Sequence, residues 1–84
     1  MHEVPIEDSM DLHLFQPREI AALVEEYLHQ AVAKGFREVR IIHGRGIGVQ
    51  REIVRSILLK HPNVMSFQDA PNRGSTTVFL VASS

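Results

Sequence analysis

Hydrophobic residues fall along this chain in blocks whose spacing changes from one stretch to the next. Residues 1–9 are mostly polar and contain Pro5. They read as an arm, with a short strand at 4–6 as its one candidate element. Met10, Asp11, Leu12, His13 and Leu14 mix polar and apolar positions and pass for a buried strand only in the context of a sheet. The clearest element is 17–35. Ile20, Leu23, Val24, Tyr27, Leu28 and Ala31 recur at the i, i+3, i+4, i+7 spacing of one helix face. Pro17 suits the first helical position, whose N–H has no intrahelical partner, and Gly35 suits a helix stop. Residues 39–42 are short and β-branched, which predicts a strand ending at His43 and Gly44. A second amphipathic pattern follows from about Gly48 to Lys60, with Val49, Ile53, Val54, Ile57 and Leu58 on its apolar face. His61-Pro62 ends it, because the residue before a proline is pushed out of helical space. Residues 64–67 predict a third strand, 69–75 a loop with Pro71, Asn72 and Gly74, and 76–81 an alternating fourth strand.

The order is therefore β-α-β-α-β-β. Strand–helix–strand crossovers leave the first strands parallel, and the seven-residue loop makes the last two strands an antiparallel pair. The predicted fold is an α/β two-layer sandwich, a mixed four-stranded sheet with two helices packed on it. Its predicted organisation is an arm at 1–9 and one domain at 10–84.

Composition narrows the class. A chain of 84 residues has room for one small core. It has no cysteine, which removes disulfide frameworks and Cys-based zinc sites and fits a reducing compartment. No apolar run approaches the roughly 20 residues of a membrane span, and the start lacks the basic-then-apolar order of a secretory signal. The expectation is a cytoplasmic protein without a membrane partner.

The net charge of −1 hides a polarity along the chain. Residues 1–30 carry seven acids and one base, whereas 31–60 carry seven bases and two acids. That pattern fits two solvated helices of opposite sign. It also fits a basic face for a polyanion.

The chemistry gathers at two places. In open α/β sheets, ligands bind beyond the carboxyl ends of parallel strands. Asp11 and His13 end the first strand and His43 ends the second, and adjacent strands lie about 5 Å apart. Two imidazoles distant in sequence thus reach one rim, close enough for one phosphodiester. Alternation places Asp11 and His13 on one side, where Asp11 can orient the ring, unless it merely ties the turn. The run His43-Gly44-Arg45-Gly46-Ile47-Gly48 then opens a helix. Its glycines permit positive φ and close approach, and the helix N-terminus, with Arg45 and Arg51, suits an anion. Gly44, Arg45, Gly46, Gly48 and Arg51 are the candidate phosphate-binding residues. Asp11, His13 and His43 are the candidate catalytic residues. The same three are conceivable metal ligands without diagnostic spacing, so metal dependence stays open, with Mg²⁺ or Mn²⁺ as the cation. His2, His29 and His61 read as arm, surface and helix-end residues. The G-x-G-x-G spacing after the second strand fits neither a dinucleotide fingerprint, for which Asp69 is a poor acidic partner, nor a P-loop.

These residues carry a resemblance. Asp11-Leu12-His13 and His43-Gly44-Arg45-Gly46-Ile47-Gly48 resemble the two signature motifs of the Smr (small MutS-related) domain. Residues 39–42 and 74–80 look like the same family. The similarity runs from Met10 to Val81 and is nearest the stand-alone, minimal form rather than the domain appended to a MutS2-type ATPase. It implies a fold like the C-terminal domain of a translation initiation factor. It also implies binding to DNA or RNA, with some members nicking DNA and others cleaving RNA in translation quality control. The ribosome or translation machinery joins the candidate partners on that ground. By motif match, Asp11 and His13 are catalytic or substrate-positioning, and His43, Gly44 and Gly46 form the backbone-binding turn. Two positions depart from the pattern: Leu14 stands where a glycine often follows the first motif, and Asn72-Arg73 where a Gly-Gly pair often precedes the last strand. The leading expectation is an endonuclease. The alternatives are a non-catalytic nucleic-acid or junction binder and a protein-interaction adaptor whose acidic and basic helices dock a partner or a second copy.

Overall fold

The computed structural model describes residues 7–44, 48–71 and 74–81. The expected strand at 4–6 lies outside them. The elements are β1 (Ser9–Asp11), α1 (Pro17–Ala33), β2 (Glu38–Ile42), α2 (Val49–Lys60), β3 (Val64–Asp69) and β4 (Ser75–Leu80). They form one four-stranded sheet in the order β1-β2-β4-β3. β1 runs parallel to β2, while β4 is antiparallel to both β2 and β3. The mixed sheet and the closing antiparallel pair are as expected. β4 inserts between β2 and β3, so the second crossover skips one place in the sheet.

One face of the sheet is apolar and the other is not. Along β2, Val39 and Ile41 are buried between exposed Glu38 and Arg40. Their partners Val78 and Thr76 on β4 are buried as well. Ile20, Val24, Tyr27, Leu28 and Ala31 of α1, with Val54 and Leu58 of α2, cover that face. At about 25 cal/mol per Å² of apolar area removed from water, this shared face is the dominant stabilising contribution. On β3, Met65 is an extra residue in a register shift between Val64 and Ser66 and stays exposed.

Among the differences from expectation, three have a local reason. Ser9 already pairs with Arg40, and the Arg40 N–H donates to the Asp8 carbonyl, so the sheet takes up the last residues of the expected arm. Tyr27 ties down the same segment, its hydroxyl donating to the Glu7 carbonyl at 2.6 Å. Burial, then the nearby charges of Asp8 and Glu7, push the phenol up to about 12. It therefore remains a hydrogen-bond donor throughout the neutral range. β1 ends at Asp11 rather than Leu14, because the Phe15 N–H donates to the Leu12 carbonyl and closes a turn. Leu12 is fully buried, while Leu14 is 84% exposed. Val49, the first residue of α2, is 42% exposed, so it does not join the core face that its spacing suggests. Among the described residues no helix is long and apolar enough to cross a membrane.

Candidate nucleic-acid interface

The rim above β1 and β2 is built by two turns. In the first, Asp11 at the end of β1 reaches forward to His13. Its Oδ1 accepts the His13 backbone N–H at 3.0 Å and meets the His13 Nδ1 at 2.5 Å. An ionised carboxylate only accepts hydrogen bonds, so Nδ1 carries the proton and the Nε2 lone pair is left for other chemistry. Both side chains are about half exposed. The backbone hydrogen bond from His13, then its ring, hold the Asp11 carboxyl below the ordinary aspartate value of 3.8. The expectation that Asp11 orients His13 and the alternative that it ties the turn are both realised, by one oxygen.

This arrangement predicts a graded response. In His13→Ala the ring contribution disappears but the larger backbone hydrogen bond remains. NMR titration of the Asp11 carboxyl carbon is expected to show a midpoint that rises only part of the way back to 3.8. A full return would mean that the backbone N–H contributes nothing.

The second turn follows β2. Gly44 has φ 84° and Gly48 φ 85°, the left-handed region where residues with a side chain are strained. A Cβ on Gly44 would sit 3.8 Å from the His13 Cβ, an ordinary contact, so backbone conformation rather than crowding calls for glycine there. The same distance shows that the two turns adjoin. Arg45 and Gly46 lie outside the described residues.

The two histidines do not play equivalent parts. The expectation that His43 offers its ring to the same phosphodiester as His13 is corrected by its surroundings. His43 is 4% exposed; its Nε2 lies 2.9 Å from Thr76 Oγ1 and its Nδ1 3.2 Å from the Gly44 carbonyl oxygen. The Thr76 hydroxyl has one proton, which it donates to Asp69 Oδ1 at 2.9 Å. The His43 Nε2–H is therefore the donor to Thr76, and in that neutral tautomer Nδ1 carries no proton, so its approach to the Gly44 carbonyl oxygen is a contact and not a hydrogen bond. Asp69 in turn faces Arg51 at 3.7 Å. A chain Arg51–Asp69–Thr76–His43 thus joins the first turn of α2 to the ends of β3, β4 and β2. The cause is strand alternation: positions 39, 41 and 43 share the helix-covered side of β2. An Asp11–His13–His43 metal triad does not assemble, and among the described residues no other three His, Asp or Glu side chains gather to hold an ion.

The expected role of Gly44 as a phosphate donor is corrected too. Its N–H, like that of His43, donates to the Gly74 carbonyl, at 3.0 and 3.1 Å. Gly44 shapes the turn; among the described residues the amides left for an anion are those of the first turn of α2. Gly48 caps that helix without a side-chain acceptor, and the first i→i−4 bond there is Glu52 N–H to the Gly48 carbonyl. The N–H groups of the first turn thus have no intrahelical partner, and they point with the positive end of the helix dipole. A cavity of about 250 Å³ opens here, walled by Pro17, His43, Gly44 and the turn from Gly48 through Arg51. Arg51, expected to bind phosphate, edges this cavity while its charge is shared with Asp69.

Sequence reasoning missed Thr76 and Gln50. Thr76 sits at the head of a β-branched run and reads as an ordinary strand residue. Gln50 has no motif, yet its Nε2 donates to the Phe15 carbonyl at 2.7 Å and ties α2 to the first turn.

Comparison with known proteins matches this arrangement. The Smr domain matches residues 10–83, which include both turns. Endonuclease MutS2 of Helicobacter pylori is 40% identical over 73 residues, 86% of this chain and 10% of that protein. Endonuclease MutS2 of Caldicellulosiruptor saccharolyticus is 50% identical over 46 residues, 55% of this chain and 6% of that protein. The chain thus spans a tenth or less of these relatives. Among solved structures, the Smr domain of Thermus thermophilus MutS2 superposes with a TM-score of 0.84 at 33% identity, covering 89% of this chain and 99% of that domain. YdaL, a stand-alone small MutS-related protein from Escherichia coli, gives 0.75 at 30% identity, covering 90% and 66%. The family match over residues 10–83 and the superpositions on Smr proteins at 30–33% identity agree, and the chain belongs to the Smr domain family.

Proposed function

We propose that this domain binds the backbone of DNA or RNA across the rim and cleaves a phosphodiester there, with His13 as the acid–base residue. The observation that carries this reading is the Asp11–His13 pair: an exposed imidazole, its tautomer fixed by a carboxylate, beside a glycine turn and a helix N-terminus. The relatives called endonucleases support it.

The chemistry follows from the free Nε2. On RNA it removes the proton of a 2′-hydroxyl; the 2′-oxygen bonds to phosphorus as the P–O5′ bond breaks, and the departing 5′-oxygen takes a proton from water. On DNA the same nitrogen removes a proton from a water whose oxygen bonds to phosphorus as one ester P–O bond breaks, and the departing oxygen takes a proton from solvent. The imidazolium so formed keeps its Nδ1–H on Asp11, whose negative charge stabilises it. Charge growing on the phosphoryl oxygens meets the first-turn amides of α2 and Arg51, with Arg45 and Gly46 assigned to the same turn by their motif. His43 is a positioning residue, buried beside the Gly44 turn and linked through Thr76 and Asp69 to Arg51.

Labelled RNA and supercoiled plasmid, each with EDTA, Mg²⁺ or Mn²⁺, test the reading. The expected result is cleavage that depends on His13, and binding that weakens with salt by about one log-log unit per phosphate neutralised. Salt-sensitive binding with no product under any condition would instead mark a binding module. Undiminished product from His13→Ala would overturn the assignment.

A further inference from the structure

From the cavity beside α2 we infer a subsite for one unpaired nucleobase, which makes a strand with an unstacked nucleotide the preferred ligand over continuous duplex. The inference rests on the phosphate-binding reading above and adds what lies next to the phosphate.

Three observations carry it. The first is the character of the cavity. It occupies about 250 Å³, and Pro17, Gly48 and Val49 give its wall an apolar surface, with Arg51 at its edge. Val49 is 42% exposed at a position whose spacing belongs to the core face of α2. The second is the mouth. The Gln50 Nε2 donation to the Phe15 carbonyl draws the Leu14–Phe15 turn to this opening, and those side chains are 84% and 39% exposed. Val49 lines the cavity, and the turn that carries exposed Leu14 and Phe15 is tied next to it through the Phe15 carbonyl. Scattered exposed leucines need no explanation, whereas apolar residues gathered on a rim do. The third is polar capacity. Only one Gln50 hydrogen bond is used; among the described residues its Oε1 and second N–H have no partner. A side-chain amide presents a donor and an acceptor side by side, the pattern that pairs with a base edge.

A flat heterocycle with an apolar face and a polar edge, attached to a phosphate, matches all three. The phosphate meets the first-turn amides and Arg51. The base lies against Val49 and Pro17 with its edge toward Gln50. A base stacked and paired in a duplex cannot enter, so the ligand offers it from a single strand, a loop or a junction. Sugar chemistry does not enter this subsite, so RNA and DNA are both admitted.

The test uses a short single-stranded oligonucleotide, in RNA and DNA versions, with an abasic residue placed at each position in turn, and the matching full duplex. Removing one base is expected to weaken binding by roughly 5- to 100-fold at one position, with the salt slope unchanged because no phosphate is lost. In the Val49→Ala/Gln50→Ala double variant the parent and that abasic strand are expected to bind alike. Equal affinity for every abasic strand, or duplex binding as tight as single strand, would overturn the inference and leave the phosphate reading standing. Absence of salt-sensitive binding to any of these probes would bring down the phosphate reading, and the base subsite with it.

Discussion

Replacing His13 with alanine is expected to lower cleavage by about 10²–10⁴-fold, the usual contribution of one general acid–base group, while the melting temperature stays within a degree or two. The two halves of that expectation come from the same geometry. The ring is about half exposed and its one polar contact is to Asp11, so little packing is lost. The backbone N–H of residue 13 still reaches Asp11 Oδ1, so the turn stays closed. What disappears is the Nε2 lone pair. Asp11→Asn makes a useful companion: the amide oxygen can still accept the Nδ1–H, but the charge that stabilises the imidazolium is gone. Its rate should fall between wild type and His13→Ala. Binding affinity and salt slope should be nearly unchanged in both variants, because neither removes a cation that meets phosphate.

The second large effect is expected from Thr76→Val, a change of shape by almost nothing. Among the described residues the hydroxyl is the one link between the His43 Nε2–H and the Asp69 carboxylate. Without it a donor buried to 4% exposure faces a methyl group. Leaving a buried polar group unpaired costs about 1–3 kcal/mol, and each kcal/mol moves the melting temperature of a domain this small by roughly 4–8 °C. The same change frees Asp69 to pull Arg51 toward itself and loosens the turn at Gly44. Cleavage should therefore fall as well, but by less than in His13→Ala, and with weaker oligonucleotide binding. Thr76→Ser, which restores the hydroxyl, should recover most of the stability and the rate. A Thr76→Val protein as stable as wild type would show that the His43–Thr76–Asp69 chain contributes nothing to the fold.

The fold was open to reading because both helices announce themselves by period and by their ends. Pro17 and Gly35 bracket α1 within two residues of its observed limits, and His61-Pro62 stops α2 where the structure does. The neighbouring of His13 and Gly44 follows from parallel pairing of β1 with β2. The direction of His43 was equally available. Val39 and Ile41 are apolar and alternate with Glu38 and Arg40, so position 43 belongs with the buried set. A polar residue at the end of that series is as well suited to a buried hydrogen bond as to a ligand. The commitment of the Gly44 N–H to Gly74 could not be foreseen in the same way. It depends on β4 lying beside β2, and nothing local distinguishes that order from one in which β3 takes the place. Val49 misled because helical spacing gives angle around an axis but not distance along it, and the first residue of α2 lines an open cavity instead of the core.

The sharpest test of a phosphate seated between the Asp11–His13 pair and the head of α2 is a heteronuclear NMR titration of the protein with a short oligonucleotide. The His13 ring resonances and the Gly48, Val49 and Gln50 amides should shift together, saturating at one concentration, with Arg40 and Thr77 on the opposite face of the sheet unmoved. Shifts confined to that opposite face, with the His13 ring untouched at saturation, would contradict the placement of the site.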